Sequence, residues 1–139
     1  MTKQTKKKPV ILAIEKYLKD NYSFRYNLVT NRLEYKLKEA SAFQLVNDYK
    51  LNSIYRDLTI QGFKTHIGTL RNILNSNFTP TYDPLKSYFK SLPKWDGTSD
   101  YIEQLASTVT TTNDTLWKQC FKKWIVAMTG SLLEPKIIN

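Results

Sequence analysis

Apolar residues return at helical intervals in residues 9–20, where Ile11, Ile14 and Leu18 share a face with Tyr17 beside them. The spacing predicts an amphipathic helix that starts at Pro9 and stops at Asn21. The period then drops to two. Residues 24–29 and 32–37 alternate apolar and polar side chains and are separated by Thr30-Asn31, the pattern of a β-hairpin. With that dipeptide as the turn, Leu28 faces Leu33, Tyr26 faces Tyr35 and Phe24 faces Leu37. A four-residue loop over 29–32 keeps the same pairs and relieves Thr30, whose β-branch resists positive φ.

Residues 43–46 predict a short third strand. Leu51, Ile54, Tyr55 and Leu58 then mark a helix that opens near Asn47-Asp48 and ends at Gly62, a residue suited to the left-handed C-terminal position. Thr65 is the expected N-cap of a following helix carrying Ile67, Leu70, Ile73 and Leu74. Two helices joined by a short glycine-containing turn, after a hairpin, resemble a helix-turn-helix or winged-helix arrangement. Residues 75–82 are polar, contain Pro80 and read as a linker.

Beyond it the pattern is helical: 84–91 with Leu85, Tyr88, Phe89 and Leu92 inward, 100–107 with Tyr101, Ile102 and Leu105, and 114 to about 133. Between the first two, Pro93-Lys94-Trp95-Asp96-Gly97 combines a helix stop, an aromatic anchor and an Asp-Gly turn, so Pro93, Trp95, Asp96 and Gly97 are expected to form a structural joint. Asp100 and Glu103 have capping-box spacing. In the last helix Trp117, Phe121, Trp124 and Met128 form a stripe, expected as core, with Cys120 and Ala127 flanking it. The fold expected is α+β and mainly α: a basic leader at 1–8, an N-terminal lobe at 9–76 and a three-helix lobe at 77–139.

Composition narrows the chemistry. A chain of 139 residues with 41% hydrophobic and 24% charged residues is globular and large enough to fold without staples. Cys120 and His66 are the lone members of their types, so no disulfide or zinc cluster is expected. The four glycines, Gly62, Gly68, Gly97 and Gly130, fit neither a P-loop nor a dinucleotide fingerprint. The carboxylates are scattered, and no Asp-x-Asp pair would hold magnesium. No catalytic residue, no cofactor and no metal are therefore expected, with Cys120 read as a small core residue. No apolar run approaches the ~20 residues of a membrane span and no signal-peptide pattern is present, which points to a cytoplasmic protein with no membrane partner.

The formal charge of +9, from 21 basic against 12 acidic residues, points to polyanions and first to DNA. Lys3, Lys6, Lys7 and Lys8 supply four of these charges, leaving +5 for the remainder. The candidate surface combines hairpin residues Arg25, Arg32, Lys36 and Lys38 with Lys64, Arg71, Asn72 and Asn75 along the helix after Gly62, where His66 and Thr69 also lie. Lysine neutralises phosphate; arginine and asparagine also read base edges, a role that would fall to Arg71, Asn72 or Asn75.

The stretch Phe24-Arg25-Tyr26-Asn27-Leu28-Val29-Thr30-Asn31-Arg32-Leu33-Glu34 and the Pro93-Lys94-Trp95-Asp96-Gly97 joint resemble the virulence-associated E protein family, mobile-element and phage proteins of the primase-helicase type found notably in Bacteroides-like bacteria. Residues 51–56, 75–88 and 117–128 extend the resemblance over most of 22–133. In that family these regions precede an ATPase domain whose P-loop follows the helix matching 114–133. The chain ends at Asn139, before any P-loop, so the resemblance implies an N-terminal region of a longer protein, with no catalytic residue carried over. The expected function is a non-catalytic, DNA-associating scaffold for a downstream ATPase domain in DNA replication. The competing expectation is a protein-interaction or oligomerisation module, its last helix packing on a following domain or a second subunit.

Overall fold

The structure is a computed structural model that describes residues 9–134; the lysine leader expected at 1–8 lies outside the described residues. The chain is α+β and mainly α. In order it forms α1 (Val10–Asn21), β1 (Tyr22–Asn27), β2 (Arg32–Leu37), β3 (Gln44–Leu45), α2 (Asp48–Ile60), α3 (Ile67–Leu74), β4 (Thr81–Tyr82), α4 (Pro84–Ser91), α5 (Tyr101–Ala106) and α6 (Asp114–Leu133). It divides into two compact units, one through Tyr82 and the other from Asp83.

In the first unit the four strands lie in the order β3-β2-β1-β4, with β1 antiparallel to β2 and parallel to β4. Residues 77–82, expected with the C-terminal lobe, belong to the first unit, and Thr81–Tyr82 join its sheet: the carbonyls of Pro80 and Tyr82 accept the N–H groups of Tyr26 and Leu28 at 2.9 Å each. The hairpin forms, two residues out of the expected register: Tyr22 faces Leu37, Phe24 faces Tyr35 and Tyr26 faces Leu33. An even shift leaves every side chain on its expected face. Its cause is Asn27, whose Oδ1 accepts the N–H groups of Val29 (3.0 Å) and Thr30 (3.2 Å) and folds the turn over residues 28–31. Asn31 takes the left-handed position, φ 52°, which asparagine tolerates.

Helix α2 begins as expected, with Asn47 Oδ1 accepting the Lys50 N–H at 2.9 Å, and the residue after its C-cap, Gly62, adopts φ 82°. Helix α3 does not start at Thr65. His66 occupies the cap with no side-chain bond, and the Thr65 hydroxyl is buried without a hydrogen-bond partner among the described residues. Ile14 and Leu18 from α1, Tyr22 and Phe24 from β1, Leu51, Ile54 and Leu58 from α2, and Leu70, Ile73 and Leu74 from α3 form one core. Each fully buried leucine or isoleucine stabilises the unit by about 1.5–3 kcal/mol relative to exposure. Ile11, expected on that face, is exposed one turn short of it.

The second unit contains the three expected helices. Asp83 accepts the N–H groups of Leu85 and Lys86 at 3.0 Å to cap α4, whose first residue is Pro84. Asp100 caps α5 through the Glu103 N–H at 2.9 Å, but the Glu103 carboxylate accepts Lys118 at 3.0 Å rather than closing the box. Asn113 caps α6, and the Trp117 indole N–H donates to the Ala106 carbonyl at 2.9 Å, tying α6 to α5. The expected apolar packing is largely missing. Among the described residues of this unit only Ala106 is buried, while Tyr88, Leu92, Tyr101 and Leu105 are exposed. Cys120, read as core, is exposed too.

Candidate nucleic-acid interface

Arg25 is on β1, where its Nε donates to Glu34 Oε2 on the facing strand at 2.6 Å. Its guanidinium also lies 3.9 Å from the ring centroids of Phe43 and Tyr82, which approach from the two edges of the sheet. Asn27 Nδ2 donates to the other Glu34 oxygen at 2.9 Å. Arg25 and Glu34 side chains are only 25% and 13% exposed. Arg25 is thus a structural clamp, with its charge neutralised and its faces covered, and no longer a free phosphate contact. Phe43 and Tyr82 carried no sequence signal for this role, because the sandwich joins residues 43 and 82 to residue 25 through tertiary structure alone.

Three other sequence-predicted residues do converge. Arg32, Arg71 and Asn75 line a groove of about 450 Å³ between the hairpin turn, the N-terminus of α2 and the C-terminal end of α3. Its accessible apolar lining is Leu33, Leu45 and Val46, with the core side chains Leu51 and Leu74 behind them, and Tyr26 adds a ring. Asn31, Asn47 and Asp48 complete the polar wall. Arg71 reaches Asp48 at 3.5 Å with both side chains exposed, so solvent screens this pair and leaves the guanidinium open to exchange. Asn31 and Asn47 were legible as turn and cap residues; that both face one groove was not.

The remaining candidates lie elsewhere. Lys36 extends to 5.4 Å from the Phe43 ring centroid, and Lys38 lines a separate shallow groove with Asp20, Asn21 and Glu39. Lys64 and Asn72 are exposed and do not line the Arg32 groove. Within residues 9–82, ten Lys and Arg face six Asp and Glu, a net +4, whereas residues 83–134 balance six against six. The charge that points to a polyanion therefore resides in the unit with the groove.

The Pro93–Gly97 joint is held by local bonds. Asp96 Oδ1 accepts the N–H groups of Thr98 and Ser99 at 2.9 Å, Asp96 Oδ2 accepts the Tyr101 hydroxyl at 3.1 Å, and Gly97 adopts φ 81°. Those donors, the Ser99 and Thr98 N–H groups first, hold the Asp96 carboxyl well below the usual carboxylate range. Trp95 is not the buried anchor its motif suggested: it is 67% exposed, and its indole N–H donates to the Ser99 carbonyl at 2.8 Å. The Trp117–Phe121–Trp124 stripe is continuous, with ring centroids 5.2 and 6.0 Å apart, but Trp124 is 59% exposed.

Among the described residues no group of three or more His, Cys, Asp or Glu side chains is arranged to hold a metal ion, and no helix is long and apolar enough to cross a membrane. No family model, curated protein or solved structure matches the chain.

Proposed function

We propose that the chain is a non-catalytic region of a mobile-element primase-helicase that associates with DNA through its first unit and scaffolds a downstream ATPase domain. The observation that carries the DNA-associating part is the meeting of Arg32, Arg71 and Asn75 on one groove of the cationic unit. Two guanidiniums supply fork-shaped donors for phosphate oxygens, and the carboxamide supplies a donor and an acceptor for a base edge. Fluorescence anisotropy with labelled single-stranded and duplex DNA tests it: binding at low salt that weakens steeply as salt rises supports the reading. Failure of both DNAs to bind at low salt overturns it.

The scaffolding part draws on the second unit, whose described residues are electrically balanced, hold one buried side chain and expose Trp124, Val126 and Met128 along α6. The same surface favours a second reading, a protein-interaction module without direct DNA contact. Light scattering across a concentration series separates self-association from docking on another domain, since a monomer at all concentrations excludes the former.

A further inference from the structure

We infer that the groove between the hairpin turn, α2 and α3 seats one unpaired nucleotide, and that the first unit therefore selects single-stranded over duplex DNA. The inference rests on the DNA association proposed above and narrows its ligand.

The argument starts from the groove's two chemistries. At about 450 Å³ it falls in the range of small-ligand sites, roughly 300–1,000 Å³. Leu33, Leu45 and Val46 give it accessible apolar surface, and Tyr26 adds an aromatic ring. A surface of that kind is satisfied by the face of a base, and a duplex hides its base faces in the stack while offering only edges in its grooves. An unpaired nucleotide presents face, edge and phosphate together.

The rim supplies the other half. Arg32 and Arg71 come from distant points in the chain, one beside the hairpin turn and one in the last turn of α3, and both line the same opening. Guanidiniums bind phosphate oxygens in pairs, which fixes a backbone as well as attracting it. The contrast with Arg25 is informative: Arg25 is stacked between two rings and bonded to a largely buried carboxylate, whereas Arg71 has only an exposed partner 3.5 Å away. Asp48, that partner, also gives the wall an acceptor for an exocyclic amino group, so the groove is not a bare anion hole. Its position at the head of the 13-residue α2 puts the positive end of a helix dipole on the same side.

The test compares a labelled single strand, the matching duplex and a single strand with abasic sites, against the full chain and its Arg32→Ala, Arg71→Ala and Lys64→Ala variants. Arg32 and Arg71 are exposed, and circular dichroism checks that each variant remains folded. The expected result is single-strand binding at least tenfold tighter than duplex or abasic binding, weakened about tenfold by either arginine change and much less by Lys64→Ala. A free mononucleotide that competes at concentrations comparable to the strand, base for base, would overturn the strand as the ligand. Equal binding of single strand and duplex, or arginine variants that bind like the parent, overturns the nucleotide seat while leaving DNA association standing. Loss of both would be seen as no binding to any DNA, and preferential capture of an acidic peptide by the same arginines would likewise overturn it.

Discussion

Arg25 and Arg71 carry the same side chain and have opposite fates, and the difference is what surrounds the guanidinium. Removing Arg25 leaves Glu34 largely buried without its cation and opens the space between Phe43 and Tyr82. Arg25→Ala is therefore expected to destabilise the first unit by about 2–3 kcal/mol, at or just below the ~3–5 kcal/mol cost of breaking a fully buried pair because Arg25 retains some solvent. Chemical denaturation followed by far-UV circular dichroism measures it; a loss within ~0.5 kcal/mol would mean the clamp is incidental. Asp96 makes a prediction of the other kind. Its folded carboxyl sits below the ordinary value of 3.8, so the stability its bonds contribute is fully present above that pH and is lost as pH falls toward the lowered value. Carbon-detected NMR titration should place the Asp96 midpoint clearly under those of ordinary aspartates, and Asp96→Asn should flatten the acid-side loss of the joint. Trp95, exposed and bonded only through its indole N–H, should cost about 1 kcal/mol or less when changed to alanine, far from the several kcal/mol of a buried tryptophan.

Elements whose cause is local could be read before the structure: α1 from its 3.6-residue spacing, α2 from Asn47, Leu51, Ile54 and Leu58, and the end of α2 from Gly62. Gly62→Ala should cost about 1 kcal/mol, the penalty of placing a Cβ at positive φ, because nothing lies within 4 Å of the added atom to raise the cost further. A thermal melt unchanged by the substitution would show that the chain end of α2 can relax. What could not be read has a common origin in contacts between distant residues. The hairpin register turned on Asn27 preferring two backbone N–H groups of its own turn, a competition that alternation alone does not settle. Strand β4 looked like linker because two residues beside Pro80 have no periodicity, and only β1 makes them a strand. The groove was half legible: Arg32, Arg71 and Asn75 stood out by residue type, while Asn31, Asp48 and Tyr26 entered it through the packing of α2 and α3 on the hairpin. The stripe on α6 had the spacing of a core helix, but spacing reports only that a face is apolar and says nothing of what covers it.

The chain as a whole separates its two physical resources. All ten side chains of the main core belong to residues 9–82, together with the net +4, while residues 83–134 are electrically balanced and hold a single buried residue. Apolar burial is the dominant favourable term in folding, so the two units should differ in resistance to denaturant. Side-chain capping runs the other way, with all three helices of the second unit capped, by Asp83, Asp100 and Asn113, and only α2 of the first, by Asn47, so the expected difference rests on burial. The three tryptophans, Trp95, Trp117 and Trp124, all lie in the second unit, so indole fluorescence reports it alone, whereas Tyr22 and Tyr35 pack at the core of the first. In urea the fluorescence transition should precede the loss of the most protected amides, which native-state hydrogen exchange should locate in α1, α2 and α3. Coincident transitions by both measurements would mean that the second unit draws its stability from the first. A fluorescence transition moved to higher urea by an added protein, with core exchange unchanged, would identify that protein as a partner of the second unit.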